Sequence, residues 1–85
     1  VAVARAAAHL EAGNVGVAAE ALAAIDLVLV DRYQPYWTVV ADVAHRQQDP
    51  DRARTARERA LLLTHDPAVR QHLLTRWTEE SGPIS

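Results

Sequence analysis

Four histidines, His9, His45, His65 and His72, are the only imidazoles in the 85-residue chain, and cysteine is absent. A metal site on one helix needs two ligands three or four residues apart, so that both face the same way. His65 and His72 are seven apart with a helix start between them, and neither has a histidine or carboxylate at that spacing. All four histidines therefore read as surface residues at helix ends. Asp49 and Asp51 flank Pro50 like an acid pair, but an aspartate before a proline is a helix-capping signal. Ser81 and Ser85 lie in the last five residues, no threonine has a histidine-based triad in view, and three glycines make no phosphate loop. No catalytic, cofactor or metal site is expected, and no enzymatic activity.

Arginine supplies all nine basic residues, against eleven acids, for a net charge of −2. Arg46, Arg52, Arg54, Arg57 and Arg59 cluster, but Asp49, Asp51 and Glu58 interleave with them. That is a solvated helix face, without the dense basic stripe that nucleic acid binding requires. Arg57 differs from its neighbours because it lies on the stripe between Ala53 and Ala60. Its stem should cover apolar surface, and its head could reach an acid on the facing helix, with Asp42 within range. The other dense group is Arg32-Tyr33-Gln34-Pro35-Tyr36-Trp37, which holds both tyrosines and one of the two tryptophans. Pro35 suits the first turn of a helix and Trp37 falls on its inner face. Arg32, Tyr33 and Tyr36, with Arg57, are the expected partner contacts.

The elements that must position these residues are helices. Seventeen of the 85 residues are alanine, which buries little surface and suits closely approaching helices rather than a sheet. The pattern predicts five. Residues 1–12 place Val3, Ala6, Ala7 and Leu10 on one face, and Gly13-Asn14 stops the helix. A second runs from Val15 to about Asp26 on Ala18, Leu22 and Ile25, with Leu27–Val30 finishing it and packing under the aromatics. A third runs from Pro35 to about Gln47, burying Trp37, Val40, Ala41 and Ala44, with Asp42 and Arg46 paired outside. Asp49-Pro50 and Asp66-Pro67 start the last two. The fourth carries Ala53, Ala56, Ala60, Leu61 and Leu63 inward; the fifth carries Val69, Leu73 and Trp77. Residues 1–81 form one helical domain and residues 82–85 a disordered tail. The core set is Leu22, Ile25, Trp37, Ala53, Ala60, Leu73 and Trp77.

Two of these hairpins superpose at an offset of 35 residues: Ala2 on Trp37, Ala6 on Ala41, Gly13 on Gln48, Ala18 on Ala53 and Ile25 on Ala60. Such a period, with small residues where helices cross, resembles the tetratricopeptide repeat of ~34 residues. The fold class is therefore all-α, tetratricopeptide-like, with about two repeats and a C-terminal capping helix. Arg57 and Pro67 depart from that repeat's usual pattern.

Tyr33-Gln34-Pro35-Tyr36-Trp37, followed by Ala60-Leu61-Leu62-Leu63-Thr64-His65-Asp66-Pro67-Ala68-Val69-Arg70 and Leu73, resembles the C-terminal extension of one group of extracytoplasmic-function sigma factors. The opening Ala4-Arg5-Ala6 and the later Glu11-Ala12-Gly13 are similar to that extension's start. The chain departs from the group at Val40, in place of an arginine, and at His72, in place of a phenylalanine. The resemblance implies a regulatory module of a bacterial, cytoplasmic transcription initiation factor, following two promoter-binding domains. Its implied partners are those upstream sigma domains in cis and RNA polymerase or a regulatory protein. Neither nucleic acid nor membrane contact is expected from this segment, and a homodimer is possible for an open repeat end. A chain that begins at Val1 in helical pattern fits a piece of a longer protein. The rival reading is a free-standing tetratricopeptide adaptor that binds a peptide in its concave groove.

Overall fold

The computed structural model of the chain describes residues 2–80, and the expected tail at residues 82–85 lies outside them. The described residues are helical without a strand: α1 (Ala2–Glu11), α2 (Val15–Ala23), α3 (Leu27–Val30), α4 (Gln34–Arg46), α5 (Pro50–Leu62) and α6 (Pro67–Glu80). α1 pairs with α2 and α4 with α5, and α4 also lies against both helices of the first pair. Alanine explains why the helices can close up in this way: Ala6, Ala18, Ala41, Ala44 and Ala60 are fully buried. A helix contact made of methyl groups lets the backbones approach toward the short end of the usual interaxial range.

The two hairpins turn on the same hydrogen bonds. After α1 the amides of Ala12, Gly13 and Asn14 donate to the carbonyls of Ala8, Leu10 and His9. After α4, 35 positions on, Gln47, Gln48 and Asp49 donate to Val43, His45 and Ala44. This set of hydrogen bonds closes a helix through one left-handed residue, here Gly13 at φ 88° and Gln48 at φ 60°. Asp49 then caps α5 through its carboxylate, which accepts the Arg52 amide at 3.2 Å. At the α6 start the Asp66 carboxylate accepts the Ala68 amide at 2.9 Å.

Three expectations need correction. Leu27–Val30 does not finish the second helix. The Asp26 backbone turns extended (φ −66°, ψ 118°) and its carboxylate accepts the Val28 amide, so these four residues form a separate one-turn helix. Only Val30 is buried; Leu27, Val28 and Leu29 are 51, 85 and 77% exposed. Trp37 and Ile25 are half-buried against the core rather than within it, whereas Leu22, Ala53, Ala60, Leu73 and Trp77 are buried as expected. Val69, expected inside, is exposed. The physical reason for Trp37 is volume: the largest side chain fully shut from solvent is Val43, and an indole does not fit between helices spaced by alanine.

The two left-handed residues should answer oppositely to substitution. A Cβ at Gly13 would meet nothing within 4 Å, so Gly13→Ala carries only the backbone penalty, a loss of about 1–2 kcal/mol. Gln48→Gly should gain up to about 1 kcal/mol by removing the same strain. Urea denaturation of the two variants checks both signs.

Candidate functional site

The aromatic junction is organised by Asp31, the residue after α3. Its carbonyl accepts the Trp37 indole N–H at 2.9 Å, and its carboxylate accepts Arg59 Nη2 at 2.8 Å. The Arg59 guanidinium lies over the Trp37 ring, 5.7 Å from its centroid. Tyr36 meets the same indole edge-on, with centroids 5.0 Å apart and planes at 84°. One loop residue thereby holds α3, α4 and α5 together. Asp31, Trp37, Thr55, Glu58, Arg59 and Leu62 line an open cleft of about 370 Å³ beside it.

A second cleft, of about 600 Å³, lies between α1, α4 and α6. Ala7, Leu10 and Val39 give it apolar surface, and Glu11, Asp42, His45, Arg46 and Arg76 give it charge. Arg76 Nη2 of α6 donates to Asp42 Oδ2 at 2.5 Å. Arg46 Nη1 donates to the Leu10 carbonyl at 3.1 Å, fastening α4 to the end of α1. The expected Asp42–Arg46 pair on the outside of α4 is therefore replaced by two longer-range contacts. Arg57, expected near Asp42, instead places its guanidinium over the Trp77 ring, 5.7 Å from the centroid.

Of the expected contact residues, Arg32 and Tyr33 are exposed and Tyr36 is half-buried at the junction. Arg57 is half-buried on α5, facing α6. Neither of the two clefts is lined by any of the four; Arg32, Tyr33 and Tyr36 fall at the junction between α3 and α4, and Arg57 turns to Trp77 on α6. Arg59 was assigned to the solvated face and is instead a junction residue, as is Asp31. A signal for both arginines was present in the chain. Two guanidiniums two positions apart on one helix point to opposite sides, and each tryptophan offers a face for one.

Among the described residues no cluster of His, Asp and Glu is placed to hold a metal ion, and no helix is long and apolar enough to cross a membrane. No protein-family model, curated protein or solved structure matches the chain. The site must therefore be read from its own chemistry. Among the described residues that chemistry is apolar surface bordered by charges of both signs, Glu11, Asp42, Arg46 and Arg76 in one cleft and Asp31, Glu58 and Arg59 in the other.

The Asp31–Arg59 pair is about half exposed, at 44 and 41%, so solvent screening keeps its own contribution small. The stacked indole adds to what Arg59 provides. Arg59→Ala should lower unfolding stability by about 1 kcal/mol, and Asp31→Ala by a similar amount. In a double-mutant cycle the two should couple by about 0.5 kcal/mol, and raising the salt should shrink the coupling.

Proposed function

We propose that the chain is a protein-interaction module, the C-terminal regulatory extension of an extracytoplasmic-function sigma factor. It works by docking onto the sigma domains that precede it or onto their polymerase or protein partner. The observation that carries the docking role is α3. Three consecutive aliphatic side chains stand in water on a turn that is capped at Asp26 and tied down at Asp31. A contiguous apolar patch held in fixed geometry is what a binding surface looks like before its partner arrives. Tyr33, half exposed at the N-cap of α4, follows closely in the chain and extends the set. The repeated turn at Gly13 and Gln48 supports the tetratricopeptide-like architecture. The resemblance of the aromatic-proline and aspartate-proline blocks supports the sigma-factor context.

A second reading, the peptide-binding adaptor, has its own observation in the cleft between α1, α4 and α6. The two readings put the sensitive residues in different places. Burial of an exposed Leu or Val contributes about 1.5–3 kcal/mol. Replacing Leu27, Val28 and Leu29 together by Gln should therefore weaken docking by at least about 1,000-fold. In the full-length factor this triple variant should reproduce the effect on promoter-dependent transcription of deleting the whole segment, with helicity by circular dichroism unchanged. Transcription like that of the unaltered factor, in a deletion that does change output, would count against α3 as the docking surface. Sensitivity confined to Glu11 and Thr38, both of which line that cleft, would favour the adaptor.

A further inference from the structure

α6 is attached differently from the other helices. The hairpin helices meet over alanines and bring their backbones close, but among the described residues α6 makes no comparable backbone approach to any element. It reaches inward with side chains instead. Leu73 and Trp77, one turn apart, are buried. Arg70 Nη1 donates to the Leu61 carbonyl at 2.8 Å, and Arg76 pairs with Asp42. The described side chains from Pro67 to His72, with Leu74, Thr75 and Thr78, are exposed. Among its described side chains, α6 has two apolar anchors, Leu73 and Trp77.

Asp42 is only partly satisfied by that attachment. Its side chain is only 12% exposed under Arg76, and its Oδ1 is buried without a hydrogen-bond partner among the described residues. A buried carboxylate oxygen without a partner gains from any state that lets water reach it. Withdrawal of α6 is such a state. The connector is built to allow it. Thr64 is tied back to α5 through Ala60 and Leu61, while Asp66 is tied forward to α6 through Ala68 and Arg70. The pivot falls between them, at His65.

We propose that α6 is a releasable strap. Its residues leave as a unit while both hairpins stay folded, returning Asp42 to water and removing the wall that Arg76 gives the α1/α4 cleft. This regulation of the cleft is independent of the docking role assigned to α3.

Native-state hydrogen exchange of the chain, followed by NMR, tests the proposal. Amides of residues 71–78 should share one opening equilibrium and exchange at least about 100-fold faster than those of residues 39–46. Equal protection in α4 and α6 would overturn it, because α6 would then belong to the global unfolding unit. A smooth gradient of protection toward Glu80 would overturn it too, because that is end-fraying. In Trp77→Ala the α6 amides should lose protection while residues 39–46 keep theirs to within about tenfold. Joint loss in both helices would again overturn the strap.

Discussion

Helix backbones brought together over alanine are the constraint on which the rest of this structure depends. Ala6, Ala18, Ala41, Ala44 and Ala60 are completely buried, and nothing larger than Val43 is shut away entirely. Such a core gains from close contact between main chains, and each buried residue removes little apolar area from water. It leaves no room for an indole between the hairpin helices. The large side chains are therefore displaced to the edges, where they bridge gaps that alanine cannot span.

At those edges α5 has an unusual part. Arg57 and Arg59 are two residues apart, about 200° around a helix, and each lies over a tryptophan, Trp77 on α6 and Trp37 on α4. The stems cover apolar surface and the guanidinium heads lie over the ring faces, a placement that favours arginine over lysine. An arginine-only chain can thus cover the ring faces at the edges of an alanine core. Asp31 completes one of these corners by accepting from both the indole and the guanidinium. The backbone there is held firmly enough that the preceding turn can present aliphatic side chains to solvent.

Helix locations and turns were legible in the residues, because Gly13, Asp49-Pro50 and Asp66-Pro67 act locally through backbone conformation and capping. The 35-residue offset was legible for the same reason, and Gln48 at positive φ shows that the second turn keeps the shape of the first without its glycine. What sequence reading missed was set by distance. Leu27–Val30 looks like core to any hydrophobicity argument, and the exposure of Leu27, Val28 and Leu29 follows from Asp26 breaking the helix before them. Asp42 and Arg46, four apart, invite a local pair, yet each has a stronger partner more than thirty positions away, Arg76 and the Leu10 carbonyl. Of the expected contacts, Arg32, Tyr33 and Tyr36 fall at the junction between α3 and α4, whereas Arg57 turns to Trp77 on α6, a placement that depends on tertiary packing.

The Asp31–Arg59–Trp37 corner has a consequence for how such a chain drifts. A buried alanine offers few substitutes, since glycine loosens the helix and anything larger forces the backbones apart. The corner is held by charge, plane and ring at once, so changing one member leaves the others mismatched. Variation there is expected to move in concert, with positions 31, 37 and 59 exchanging as a set. Coupled change at the rim, around a centre that hardly varies, would be the signature of descent in this architecture.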